Sequence, residues 1–346
     1  MKKHIKLADI LGTVGIEPLS WKGDGTQLDI IGIGTPCIDM LTLVDALPTP
    51  NKGATVLEVS RQGGGQVATA LVTASRLGAH TSFIGVSGSC IHGRAIRDDF
   101  SYNHVDISHS IIHEGASSDF AYILSDMETI GRSIMYRRGT VRDIEIKDLD
   151  KDFIVSADFL HLESCNPPQA LAAGWMREAG KKVVYDAGSY SPKIHDFLPK
   201  IDVFIASEFY YQECFPTGGY EENCCRVADH GPEIVVFTLG EKGCVGYSKK
   251  EGYFEAEGFN VPVRDTLGAG DVFHGAFLYG LVKGMPVREN ARFSNAVAAI
   301  KISAIGGRAG IPSYETTIKF MQTGIIDTAQ IEQRIQKYQD MWLFTD

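Results

Sequence analysis

Residues 263–277, Val263-Arg264-Asp265-Thr266-Leu267-Gly268-Ala269-Gly270-Asp271-Val272-Phe273-His274-Gly275-Ala276-Phe277, constrain this chain more than any other stretch. Gly268, Ala269 and Gly270 are too small and flexible to hold a strand, yet Val272, Phe273, Ala276, Phe277, Gly280 and Leu281 recur on one face at helical spacing. The pattern predicts a tight loop that opens a buried helix. N–H groups at such a start lack intrahelical partners and carry the positive end of the helix dipole, so they favour an anion. Asp271 falls in the first turn, which puts a carboxylate beside an anion-attracting spot. Proton abstraction from a hydroxyl that attacks a phosphoryl group accounts for the pairing. A helix start with a capping acid is the plainer explanation.

Resemblance separates the two. Residues 265–271 resemble the D-T-x-G-A-G-D signature of the ribokinase or PfkB-type carbohydrate kinases, with Leu267 at the variable position. The resemblance implies an α/β fold, a ribokinase-like three-layer sandwich with a mostly parallel central sheet and a small β-sheet lid. It implies Asp271 as catalytic base and the amides of Gly268, Ala269 and Gly270 as an anion hole for the transferring phosphoryl group. ATP and Mg²⁺ come with it, as does a monovalent cation such as K⁺ near Asp265 and Ser313.

Other motifs follow in the family's order. Leu28 to Gly34 reads as a buried strand, and ligands in open α/β sheets collect at carboxyl ends of strands. Gly32 and Gly34 alone would also suit a dinucleotide fingerprint, but Cys37 stands where its third glycine belongs. Gly34 to Asp39 is instead similar to the family's G-x-x-x-x-D element, which implies that Asp39 bonds sugar hydroxyls. Gly64 and Gly65, with a helix to Leu77-Gly78, resemble the signature whose glycine pair approaches the sugar; Thr69 replaces its usual asparagine. Gly88 to Gly93 lacks the acid of the family's G-x-D-x-x-G. Ser207-Glu208 lies near the N-x-x-E element, with Tyr210 in the glutamate's place, so Glu208 is the expected Mg²⁺ partner through water. Thr238, Gly240 and Gly243 fit the nucleotide element T-L-G-x-x-G, and Asn295 and Ser303 fall where the family packs around adenine.

Residues 28–325 form the expected kinase domain, with lid strands from about 40–59 and 108–138; residues 1–27 are an extension with a short helix over Ile5 to Leu11, and 326–346 an amphipathic helix. Alternating strands and helices from Asp158 onward, including one helix over Tyr210 to Val227, argue for a parallel sheet. Arg132, Arg137, Arg138 and Arg142 make the lid locally basic; solvated surface charge is the plainer explanation, and the sharper one is that an arginine, Arg137 the candidate, meets an acidic group on the substrate. A balance of 33 basic against 43 acidic residues speaks against nucleic acid and anionic membrane as partners. Seven cysteines without C-x-x-C spacing fit a reducing cytoplasm rather than a disulfide framework. The resemblance also implies a homodimer through the lid. The reading is an ATP-dependent kinase for a small sugar or sugar-like alcohol, the alternative a non-catalytic sugar- or nucleoside-binding regulator on the same scaffold.

Overall fold

The computed structural model describes residues 27–343, so the helix expected over Ile5 to Leu11 lies outside the described residues. β1 (Ile30–Ile33) leads into β2 (Cys37–Val44) and β3 (Val56–Gly64), then α1 (Gln66–Leu77), β4 (Thr81–Ile84), β5 (Val86–Gly88) and α2 (Ile91–Tyr102). β6 (Ile111–His113), β7 (Asp119–Asp126) and β8 (Arg132–Arg137) precede α3 (Lys151–Ser156), β9 (Phe159–Leu162), α4 (Pro167–Glu178), β10 (Lys182–Ala187) and α5 (Ile194–Phe197). The remainder holds β11 (Val203–Ser207), α6 (Glu208–Cys214), α7 (Tyr220–Ala228), β12 (Ile234–Thr238), β13 (Cys244–Ser248), β14 (Gly252–Ala256), α8 (Ala269–Val282), α9 (Val287–Lys301), α10 (Tyr314–Thr323) and α11 (Ala329–Leu343).

An eight-stranded sheet in the order β14-β13-β12-β11-β10-β9-β1-β4 forms the middle layer. Strands from β12 to β4 run parallel, while β13 and β14 close one edge antiparallel. Its strands are apolar at consecutive positions because both faces are covered. Ile30, Val184, Ile205 and Val236 share a core with α1, α8 and α9. Their neighbours Ile31, Val183, Phe204 and Val235 share another with α4 and α7. β1 lies between β4 and β9, so the strand order reverses there and opens a crevice at the carboxyl ends.

A separate four-stranded sheet, β3-β2-β7-β8, is the lid. It differs from expectation in two ways. The lid begins at Cys37, so Asp39 is a strand residue paired with Gln62 and Ala121 rather than part of a loop. The segment 108–113 does not join it: β6 pairs parallel with β5, because the Ile111 N–H donates to Gly85 O and the Ser110 hydroxyl to Phe83 O, tying the segment to the end of β4. The single helix expected over Tyr210 to Val227 is two, α6 and α7, since Pro216 cannot donate to a helical carbonyl and Gly218 takes φ 87°. α11 lies on β3 and buries Ile331 and Tyr338. No helix among the described residues is long and apolar enough to cross a membrane.

Candidate active site

The loop 265–268 ends in Gly268, whose φ of 70° turns the chain into α8 without a side-chain cap. Glycine is required there: a Cβ would sit 3.0 Å from the Gly307 Cα, in a conformation that side chains resist. Ala269 turns its N–H back to Thr266 O at 3.3 Å, whereas the next N–H groups face out at the helix start. A Cβ on Gly270 would meet nothing within 4 Å, so the approach to those groups is open. Asp271 stands in this first turn, half-buried. Burial and the charge of Asp186 push its carboxyl above the ordinary range, while Lys301, Arg308 and Arg132 pull the other way.

Asp39 faces the same crevice from the lid. Burial pushes its carboxyl up to about 6; Cys37 and Arg308 oppose this, and the charges of Asp271 and Asp265 add to it. The loop 306–308 joins the two: Gly307 abuts Gly268 at the start of α8, and Arg308 holds the backbone of Gly64 beside Asp39. Gly64 touches it closely, for a Cβ there would be 2.4 Å from Asp39 Oδ2; Gly65, with φ 98°, leaves 2.4 Å to Thr35 O. Thr69 is set differently from expectation. It is 2 % exposed and its hydroxyl accepts from Arg308 Nε at 3.3 Å, so it lies behind the glycine pair and not in the crevice.

Sequence reading passed over Arg308, which occupies the loop after α9. Its guanidinium is 1 % exposed, donates to Gly64 O at 3.1 Å and pairs with buried Asp99. Gln62 Oε1 accepts the Arg308 and Ala309 N–H groups at 2.7 and 3.0 Å, which fixes the loop to β3. Glu163 was also missed, although its place one residue beyond β9, at the carboxyl edge of the sheet, is a signal. It accepts the N–H groups of Thr35 at 2.7 Å and Val67 at 3.2 Å, joining the entry to the lid to the start of α1. Burial raises its carboxyl to about 7 against those two hydrogen bonds, with Asp186 and Asp271 adding to the rise.

Beneath Asp271 lie His274, Asp186 and His161. His274 Nε2 is 3.4 Å from Asp186 Oδ1, and burial lowers both imidazoles to about 3, so they are neutral near pH 7. The three offer ligand atoms within 4.8 Å of one another, a wide spread for an ion whose bonds are about 2.1 Å.

Further along the carboxyl edge of the sheet, Thr238 ends β12 and pairs in register with Ser207 at the end of β11. Gly240 and Gly243 take φ 59° and 92° in the turn that follows; a Cβ on Gly240 would meet nothing within 4 Å, whereas one on Gly243 would meet Ala256 O at 2.1 Å. Glu208 begins α6 with Lys242 3.7 Å away, which brings the expected Mg²⁺ partner to that turn. Asn295 is committed: its amide donates to Ala256 O at 2.9 Å and Glu257 O at 3.2 Å, holding α9 to the end of β14. Ser303 donates to Ile300 O and lines a groove of about 790 Å³ shared with Leu57, Ile331 and Ile335.

Strand periodicity sorts the lid arginines. Arg132 and Tyr136 share the inner face with Ser125, Ala121 and Asp39, and Arg132 donates to Thr266 Oγ1 at 2.8 Å. Arg137 falls on the other face, 5.9 Å above the Phe120 ring, so the arginine singled out from sequence points away from the crevice. Arg138 and Arg142 instead line a cavity of about 360 Å³ with Gly34, Asp119 and Tyr136.

Residues 27–313 match the family model described as pfkB family carbohydrate kinase. The chain belongs to the pfkB family of carbohydrate kinases. It is 28 % identical over 315 residues to a 5-dehydro-2-deoxygluconokinase of Bacillus subtilis, covering 83 % of this chain and 94 % of that one. To the ribokinase of Haemophilus influenzae it is 29 % identical over 276 residues, 75 % of this chain and 87 % of the other. Among solved structures, the Arabidopsis thaliana ribokinase complexed with ribose and ATP has the same fold, with a TM-score of 0.74 at 20 % identity over 86 % of this chain and 99 % of that one. In this pfkB kinase the acid, the glycine turn and the lid meet at the reversal of strand order.

Proposed function

We propose that the protein transfers the γ-phosphoryl group of ATP to a hydroxyl of a small sugar or sugar-like alcohol, with Asp271 as base. The observation that carries this is the placement of Asp271 beside the open helix start, with the loop 306–308 joining that start to the Gly64 backbone beside Asp39. Asp39, Glu163 and the backbone of Gly64 and Gly65 hold the acceptor, because carboxylates and carbonyls accept from sugar hydroxyls. Asp271 takes the proton as the acceptor oxygen bonds to phosphorus, and the bond to the ADP oxygen breaks. A carboxyl raised above its ordinary range is the better proton acceptor near neutral pH. The N–H groups of Gly268, Gly270 and Asp271 and the Arg132 guanidinium stabilise charge on the transferring group, while that of Ala269 stays with Thr266 O; one such donor is worth about 3 kcal/mol.

The turn at Gly240 and Gly243 admits phosphate or ribose where side chains would obstruct, and Lys242 adds a positive charge. Glu208, half-buried at the start of α6, offers a carboxylate to a hydrated Mg²⁺, which when bound would neutralise the phosphates and displace Lys242 from it. Met40, Tyr122 and Met135 form a cross-strand row on the outer face of the lid, Tyr122 and Met135 exposed, which supports a homodimer through this sheet. Seven free thiols fit a cytoplasmic protein.

A panel of ketoses, pentoses, sugar acids, inositols and nucleosides assayed for ADP release tests the reading. Expected is one class well above the acceptor-free rate, with kcat at least about a hundredfold lower in Asp271→Asn and ADP binding retained. Equal turnover by Asp271→Asn would remove Asp271 from its role.

A further inference from the structure

Lys301, the last residue of α9, is 0 % exposed and points at the catalytic loop from below. Its ammonium donates to Asp265 O at 3.1 Å and to Leu267 O, two carbonyls that flank Thr266 and converge on one point. The Asp265 carboxylate beside them is equally committed to the loop. Oδ1 accepts the Leu267 N–H at 2.9 Å and the Ser125 hydroxyl at 3.3 Å, and Oδ2 accepts the Gly306 N–H at 2.7 Å. Ser313, expected to share a cation with Asp265, is spent on capping α10 through the Thr316 N–H.

Converging carbonyls next to a carboxylate are the oxygen donors that a hard monovalent cation takes. Here the cation is a side chain. An ammonium is a compact point charge, and tethered to α9 it reaches the carbonyls without competing with salt. Burial lowers its pKa to about 8, but Asp265 and Asp271 act to keep it charged. A charge at this point holds the carbonyls of Asp265 and Leu267 downward, so the peptide units of the turn present their N–H ends to the crevice above.

We propose that Lys301 is a built-in monovalent cation that shapes the anion-binding turn, so that this kinase needs no K⁺. The proposal rests on the kinase reading for its effect on turnover, but not for the cation site itself. Lys301 is a positioning residue: it touches the loop and not the reacting atoms.

Turnover with the best acceptor is measured in KCl, NH₄Cl, NaCl and tetramethylammonium chloride at constant ionic strength, for wild type, Lys301→Ala and Lys301→Met. Wild type is expected to vary less than about twofold among the salts. Lys301→Ala, which opens room between the carbonyls, loses about tenfold or more in kcat, the scale of a weakened oxyanion donor. K⁺ or NH₄⁺ restores most of it; Na⁺ and tetramethylammonium do not. Lys301→Met, which fills the space without charge, stays low in every salt. Melting temperature is read in parallel without substrate: only Lys301→Ala gains a K⁺-specific rise, a readout that survives even if no acceptor supports turnover and the kinase reading fails. Stimulation of wild type by K⁺ of about fivefold or more, or full turnover of Lys301→Ala without K⁺, overturns the proposal. Should Lys301→Ala not fold, Lys301→Gln leaves an N–H donor one atom shorter and without the charge, and wild-type turnover by it overturns the proposal equally.

Discussion

Asp39, Glu163, Asp186 and Asp271 are gathered where the unbound protein has few positive charges to balance them. Two of them give a direct pH signature. Asp39 and Glu163 titrate at about 6 and about 7 in the fold, against ordinary values of 3.8 and 4.5. The folded state therefore holds more protons than the unfolded chain in that window. Their contribution is fully present below the ordinary values and is lost as pH rises through roughly 4 to 7. Glu163→Gln removes the ionisation, so the stability of the variant relative to wild type is expected to improve with rising pH, by about 3 kcal/mol in total. Chemical denaturation from about pH 5 to pH 8 reads this directly, and a difference constant with pH would show that Glu163 does not titrate as stated. Glu163 was visible from sequence only as an acid at the end of a strand. Lys301 was visible as a charge in register with Ser294 and Val297 on the apolar stripe of its helix, an anomaly that signals a buried partner.

Where elements touch, glycine decides how closely. A Cβ on Gly275 of α8 would lie 2.1 Å from Ala70 O and 2.6 Å from Thr73 Cβ on α1. Gly275→Ala gains about 1 kcal/mol of helix propensity but cannot relieve a clash with backbone, which costs about 1–3 kcal/mol or more. A lower melting temperature is expected, and an unchanged or higher one would show that α1 and α8 are not held this close. The lid shows the opposite limit of sequence reading. Its strands alternate, but a basic run does not announce which alternate faces in. Arg132→Ala is expected to lower kcat by about tenfold, and Arg137→Ala to leave it within about twofold; steady-state rates that reverse this order would put the inner face on the wrong side of the sheet.

Across the molecule, the C-terminal helix reaches the site through a buried chain of polar groups. Tyr338 of α11 donates to Asp99 at 2.7 Å, Asp99 pairs with Arg308, and Arg308 holds Gly64 O. Tyr338→Phe is therefore expected to cost about 1–3 kcal/mol by leaving a buried carboxylate short of a donor, measured by denaturation; no loss would mean that the helix merely covers β3. The outer face of the lid carries the assembly prediction. If the protein is the homodimer proposed, Met135→Glu together with Tyr122→Glu is expected to give a monomer in light scattering, and a dimer that keeps its mass would exclude this face as the interface.

Local sequence by itself determined the turn at Gly268, the glycine pair, the turn at Gly240 and the alternation of strands with helices, because each shows in the residue types or the period of a short stretch; the partners these glycines approach, such as Gly307 and Asp39, come from elsewhere in the chain. It also carried the family. Tertiary structure alone decided that Asp39 lies on a lid strand, that β6 leaves the lid for β5, that Thr69 turns inward to Arg308, and that Arg132 and not Arg137 meets the loop. It alone placed Lys301 under Asp265 and Leu267, residues 36 and 34 positions away. A buried charge is settled by whichever partner the packing brings to it, and packing joins parts of the chain that no local pattern links.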